Sequence, residues 1–263
     1  MSTVIDESAE RLAAARRNHA PCAPVRDLLG ETDLDAAYAV QSILARERIA
    51  SGARVVGRKI GLTSLQVQAQ LGVHQPDFGV VFDDTLAGHG EPISLEDYLQ
   101  PRVEAEIAFV LQSDLDNPKA TVVDVLRATD FVLPAIEVVD SRIADWDIRI
   151  TDTVADNASS GGVALGLTPY SLRGRDLGEV AMVMEHLGQP VSTGSGTACL
   201  GSPVNAVAWL AREVARRGDP LRAGEVVMSG ALGPMVRVTN AGVYSARLSG
   251  LGSVDAVFEG ELR

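Results

Sequence analysis

The 263-residue chain carries 23 Lys+Arg against 35 Asp+Glu, and 23 − 35 gives a formal net charge of −12. Nucleic-acid binding relies on cations that neutralise phosphates, and attachment to an anionic membrane relies on a polybasic segment, so this balance argues against both partners. The 46% hydrophobic content is enough apolar material for a core and excludes a disordered chain, while 4% aromatic residues offer little for base stacking.

Cys22 and Cys199 lie far apart and lack the spacing of a disulfide framework or a zinc site, which fits reduced thiols in the cytoplasm. The opening Met-Ser-Thr-Val-Ile-Asp-Glu-Ser has no basic or apolar stretch, so no secretion signal is expected. No apolar run approaches the ~20 residues that span a bilayer.

In chain order, residues 8–18 read as a helix rich in Ala, Leu, Arg and Glu, broken by Pro21-Cys22-Ala23-Pro24. Thr32 with Asp35 reads as a capping box for a second helix, whose Leu34, Ala37, Tyr38 and Leu44 recur at helical spacing up to Gly52. The texture then turns to strand over 54–60, a short helix over 64–71 ended by Gly72, and strand again over 78–82. Residues 103–111 form the clearest strand, Thr121 with Asp124 caps a short helix, and 131–139 is an apolar strand. Ser202-Pro203 opens a helix with Val204, Val207, Ala208, Ala211, Val214 and Ala215 on one face, ending near Gly218. Short strands separated by glycines fill 225–258. Strands and short helices without a βαβ rhythm predict an α+β fold with a mostly antiparallel core. No GxGxxG follows a strand and no phosphate-binding GxxxxGK[ST] occurs, so no nucleotide cofactor is expected.

Candidate chemistry begins on the strand Val103-Glu104-Ala105-Glu106-Ile107-Ala108-Phe109. Alternation sends Val103, Ala105, Ile107, Phe109 and Leu111 to the core and puts Glu104 and Glu106 together on the other face, about 7 Å apart. They are either two solubilising glutamates or a pair that a hard divalent cation would bring together. Glu137 lies inside the apolar Leu133-Pro134-Ala135-Ile136-Glu137-Val138-Val139, where a carboxylate is costly unless paired or metal-bound. A salt bridge to Arg102 or Arg142 would serve, and so would a shared metal. Lys59 sits in Gly57-Arg58-Lys59-Ile60-Gly61, as a surface lysine or as an inward cation facing a substrate carboxylate. Asp77 lies in the turn-like Gln75-Pro76-Asp77-Phe78-Gly79, and 152–162 reads as a polar loop containing Ser159. His19, His74, His89 and His186 lie outside these clusters, which disfavours histidine-based catalysis.

Several of these segments together resemble the 2-keto-4-pentenoate hydratase family. They are Val56-Gly57-Arg58-Lys59-Ile60-Gly61-Leu62-Thr63, Gln70-Leu71-Gly72-Val73 with Gln75-Pro76-Asp77-Phe78-Gly79, and Pro101-Arg102-Val103-Glu104-Ala105-Glu106-Ile107-Ala108. Leu133 to Val139, Asp152 to Ser159 and Gly230-Ala231-Leu232-Gly233-Pro234-Met235 complete the set, and the likeness runs from about Pro24 to Val257. The resemblance implies the fold of the fumarylacetoacetate hydrolase C-terminal domain, a mixed β-sandwich roll with peripheral helices. It implies a helical N-terminal region over 1–52 and a metal-binding catalytic core over 53–263 as one structural unit. Glu104, Glu106 and Glu137 match the family's divalent-metal ligands, for Mg²⁺ or Mn²⁺, and Lys59, Asp77 and Ser159 match polar residues around the substrate.

The implied reaction is hydration of 2-hydroxypenta-2,4-dienoate, or a longer homologue, to a 4-hydroxy-2-oxo acid in the meta-cleavage degradation of aromatic compounds. The implied setting is a cytoplasmic homo-oligomer, with possible association with a neighbouring pathway enzyme. The sister 4-oxalocrotonate decarboxylases are similar across the same motifs, and a non-catalytic metal-binding partner subunit is the alternative of a different class. The sequence departs from the family at His74, where Asp is common, and at Ser202, where His is common.

Overall fold

The computed structural model describes residues 3–65, 68 and 73–262. The expected helix over 64–71 and the Gln70-Leu71-Gly72 part of the motif fall largely outside the described residues. The chain opens with three helices, α1 (Val4–Arg17), α2 (Arg26–Leu29) and α3 (Leu34–Ala50). α1 begins before residue 8 because Thr3 and Asp6 form a reciprocal capping box. α3 is capped by Asp33 and not by Thr32, since the Asp33 carboxylate accepts the Ala36 N–H and places the cap one residue later.

The large sheet contains β1 (Val55–Gly61), β2 (Asp77–Phe82), β3 (Leu86–Gly88), β5 (Arg102–Leu111), β6 (Thr129–Val139), β7 (Ser160–Leu165), β10 (Val226–Met228) and β11 (Val236–Arg237). Their order is β2-β1-β10-β5-β6-β7-β3, with β11 also paired to β5. The smaller sheet runs β4-β13-β12-β8-β9, formed by β4 (Pro92–Ser94), β8 (Ala181–His186), β9 (Gln189–Ser195), β12 (Gly242–Leu248) and β13 (Gly252–Glu259). Pairing is mostly antiparallel, the exceptions being β1 with β10, β3 with β7 and β4 with β13. This is the α+β fold the sequence leads one to expect.

Alternation on β5 divides the molecule. Val103, Ala105, Ile107, Phe109 and Leu111 are all buried in the main core, which Tyr244, Ala246, Val254, Ala256 and Phe258 of the smaller sheet share. The other face of β5 is not solvent. β2 packs back against β7, so the large sheet curls around that face. Ala108, Leu133, Ala135, Val163, Met228 and Val81 form a second apolar cluster there.

Three further α-helices follow among the described residues. α4 (Val122–Ala128) has the Thr121/Asp124 capping box read from the sequence. α5 (Ile150–Ala155) and the start of β7 occupy most of the segment expected to be a polar loop. Its polar residues are buried among hydrogen-bond partners, so composition alone misreads it. α6 (Pro203–Arg216) follows Ser202 and buries Val207, Ala208, Ala211 and Val214, although the Ser202 side chain makes no capping bond. None of the helices among the described residues is long and apolar enough to cross a membrane.

Candidate metal centre and active-site cavity

The curled face carries the chemistry. Antiparallel register sets Glu104 opposite Glu137 and Glu106 opposite Ala135, two rungs apart on the β5–β6 ladder and so on the same face. One carboxylate oxygen from each of Glu104, Glu106 and Glu137 lies within 4.8 Å of the others. Glu106 and Glu137 are wholly buried and Glu104 is half-buried, so the solubilising role does not apply to this cluster. Glu106 Oε2 accepts the Gly230 N–H at 2.8 Å. Glu106 Oε1 and Glu137 Oε2 are buried with no hydrogen-bond partner.

Unpartnered buried carboxylate oxygens are costly, and two such groups converging with Glu104 form the oxygen-rich donor set of a hard divalent cation. Burial, then the charges of neighbouring glutamates, raises the Glu106 carboxyl well above the ordinary range. The same causes push Glu104 up to about 7.

Glu137 does not pair with Arg102 or Arg142. Its partner is Lys59, whose Nζ stands 3.1 Å from Oε1. Arg142 is committed to Asp156 at 2.5 Å, and Arg102 lies over the Trp146 ring. Lys59 is 2% exposed, which settles its orientation as inward. It also donates to the Ala158 carbonyl at 2.7 Å. Burial works against its charge, but Glu137, Asp77, Glu104 and Glu106 overcome that and hold its pKa above the normal lysine value.

Asp77 opens β2 instead of lying in a turn, and pairs in register with Gly61. Its Oδ2 accepts a hydrogen bond from the Thr153 hydroxyl, and its Oδ1 is buried without a partner. Burial raises its pKa against the pull of Lys59. Gly61 is required for this arrangement, because a Cβ there would fall 2.2 Å from Asp77 Oδ1. The glycine makes room for a side chain of the protein itself.

Ser159 ends a run of three non-glycine residues in the left-handed region, Asn157 (φ 56°), Ala158 (φ 51°) and Ser159 (φ 54°). Such a run costs energy and persists only where its surroundings fix it. The Asn157 amide imitates a neighbouring strand, accepting the Val80 N–H at 2.7 Å and donating to the Val80 carbonyl at 2.9 Å. Arg142 fixes the other side through Asp156 and the Ser160 carbonyl. The N-terminal helices reach the same region. Gln41 of α3 donates to the carbonyls of Phe78 and Val154, and Arg26 binds Asp152 at 2.6 Å.

A cavity of about 640 Å³ opens in front of these groups, lined by Lys59, Asp77, Glu104, Thr153 and Ser159. Its far side is apolar, with Val139, Trp146, Ile148, Leu232 and Met235. Lys59, Asp77, Glu104 and Ser159 therefore line the cavity, and Glu106 and Glu137 adjoin it through the carboxylate cluster with Glu104 and the ion pair with Lys59. Thr153, Asn157, the Ala158 carbonyl, the Gly230 N–H and Trp146 were not singled out. The motifs containing Thr153, Asn157, Ala158 and Gly230 were the available signal, but backbone groups and a left-handed turn leave no residue-type signature. His74 is exposed and Ser202 starts α6, and neither lines the cavity.

Residues 53–259 match the model of the fumarylacetoacetate (FAA) hydrolase C-terminal family. The chain belongs to that family, in its 2-keto-4-pentenoate hydratase branch. It is 57% identical over 254 residues to the TodF product hydratase of Pseudomonas putida F1, covering 97% of this chain and 95% of that one. It is 56% identical to a 2-keto-4-pentenoate hydratase of Paraburkholderia xenovorans, covering 97% and 94%. Among solved structures it resembles the 4-oxalocrotonate decarboxylase of Pseudomonas putida G7, complexed with magnesium and adipate, at a TM-score of 0.92 and 36% identity over 97% of both chains.

Proposed function

We propose that this protein is a divalent-metal-dependent hydratase that adds water to 2-hydroxypenta-2,4-dienoate, or a longer 2-hydroxy-2,4-dienoate, giving a 4-hydroxy-2-oxo acid in the meta-cleavage catabolism of aromatic compounds. The observation that carries this reading is the convergence of Glu104, Glu106 and Glu137 beside Lys59 on a cavity with an apolar far wall. The names of the relatives at 56–57% identity agree with it.

Glu104, Glu106 and Glu137 would hold the ion, Mg²⁺ or Mn²⁺, and the unpartnered oxygens of Glu106 and Glu137 suit that role. When bound, the ion supplies Lewis-acid stabilisation of negative charge developing on the substrate's C2 oxygen. Lys59 keeps its proton beside these carboxylates, so it serves as a fixed cation for the substrate carboxylate and not as a donor of lowered pKa. Hydration needs the C2 hydroxyl to give up its proton as it becomes the oxo group, a proton delivered to C5, hydroxide added at C4 and a proton delivered to C3, a net gain of one water. Asp77, raised by burial and held by Thr153, would orient or activate that water. Ser159, set by the left-handed turn, offers a hydroxyl to the same space. The same reading makes the protein a cytoplasmic homo-oligomer, where its two unpaired thiols are stable.

Turnover is followed by loss of dienol absorbance from 2-hydroxypenta-2,4-dienoate, with and without chelator. We expect chelator to abolish it, and Glu106→Gln to remain folded by circular dichroism while losing metal-dependent turnover. Unchanged kinetics in Glu106→Gln would sink the metal assignment. Release of CO₂ from 4-oxalocrotonate would favour the decarboxylase reading instead. Activity appearing only after addition of a pathway partner would favour the non-catalytic subunit.

A further inference from the structure

Two residues before Glu104, the β5–β6 ladder pairs Arg102 with Val139. Side chains two residues apart on a strand share a face, about 7 Å apart, so Arg102 belongs on the face that carries the carboxylates. Arg237 of β11 pairs directly with Arg102 on its other side. Register thus puts two guanidinium-bearing residues side by side on the carboxylate face of the sheet, and a second carboxylate on a longer substrate would find a cation there.

Arg102 does not line the cavity. Trp146 and Met235 do. The Arg102 Cζ sits 4.2 Å from the Trp146 ring centroid, and its Nη1 is 3.3 Å from Met235 Sδ. The indole is fixed in this place. Asp145 and Trp146 both adopt the left-handed conformation (φ 57° and 56°), and Gln100 holds them. Gln100 Oε1 accepts the Asp145 N–H at 2.9 Å and the Gln100 carbonyl accepts the Trp146 Nε1–H at 3.1 Å. A strained turn with its own bracket keeps an apolar surface between the arginine and the substrate space. Among the described residues, Lys59 is the one Lys or Arg that lines the cavity, and it is already committed to Glu137.

We propose that Trp146, with Met235, is a specificity-determining screen that hides Arg102 from the cavity, so that the site takes a monoanionic substrate with a short apolar tail and rejects a dicarboxylate. This rests on the hydratase reading for the identity of the substrate, but not for its test. The probe is adipate, a saturated six-carbon dicarboxylate, titrated calorimetrically into the Mg²⁺-loaded full-length protein.

Weak binding to the wild type is expected, at least tenfold tighter binding to Trp146→Ala, and return to the wild-type value in Trp146→Ala/Arg102→Gln. Trp146→Leu is the second variant should the alanine protein fail to fold, with an Arg102-dependent gain again expected. The proposal is overturned if the folded variants show no gain, if the gain survives Arg102→Gln, or if wild-type binding already depends on Arg102. Turnover of 2-hydroxypenta-2,4-dienoate by the wild type, measured separately, reports on the hydratase reading alone.

Discussion

Glu104→Gln should stabilise the metal-free protein while removing its response to metal. The Glu104 carboxyl is pushed from 4.5 to about 7, by burial first and by Glu137 second, with Lys59 opposing. A carboxyl whose native pKa lies above its unfolded value binds its proton more tightly in the fold. Stability is therefore greatest below 4.5 and is lost as pH rises through about 7. At ~1.4 kcal/mol per pKa unit, the ionised side chain costs the metal-free fold roughly 3 kcal/mol at pH 8. Partial solvent access to Glu104 reduces that to about 2 kcal/mol.

For a chain of this size about 2 kcal/mol corresponds to about 4–8 °C in Tm. In chelator at pH 8, Glu104→Gln should melt above the wild type by that amount, and the gap should close toward pH 5. With Mg²⁺ at ~100 times its Kd, the wild type should gain about 2.7 kcal/mol by mass action, and the variant much less. Scanning fluorimetry over this grid of pH and metal provides the test. A variant that melts at or below the wild type in chelator at pH 8, or that keeps the full Mg²⁺ shift, refutes the reasoning.

Two other expectations follow from the same geometry. Protons compete with the ion for Glu104 once pH falls below about 7, and for Glu106 as well, so calorimetric Mg²⁺ affinity should drop at least about tenfold per pH unit between 7 and 5, and a flat profile would count against these ligands. Asn157→Ala removes both bonds to Val80 and leaves an alanine in the left-handed region, which should cost roughly 2–4 kcal/mol and lower kcat more than it raises KM; urea titration and steady-state kinetics check the two parts.

How much of this was legible in the sequence follows from what kind of signal each feature leaves. Period-two alternation on β5 gave both its core face and the shared face of Glu104 and Glu106, because alternation is a property of the backbone itself. A glutamate among Ile136 and Val138 announced its own cost, so Glu137 was legible as a group needing a partner. Which partner was not legible. Lys59 lies on a strand that reaches β6 only through β10 and β5, and no local pattern encodes that order. The segment around Ser159 misled because its hydroxyls, amides and acids suit a surface turn, yet the fold buries them against specific partners. Thr153 holds Asp77, Asn157 holds Val80, and Asp156 holds Arg142. Curling of the sheet was hidden as well, and it turns a face that reads as half-polar into the wall of a cavity.

Curling also gives the acidic composition a local meaning. Asp77, Glu104, Glu106 and Glu137 share one enclosure with Lys59, its one cation among the described residues, and the group is formally −3 if all ionise. Burial answers that excess in the metal-free protein by raising the pKa of all four carboxyls. Lys59 alone cannot present this site to an anion, because its charge is already spent on Glu137 and the Ala158 carbonyl. A divalent ion on the three glutamates would bring the formal charge to −1 and free their protons. Under the proposed function, then, the carboxylate substrate meets a receptive site only after the ion is in place, and metal should precede substrate in the order of binding.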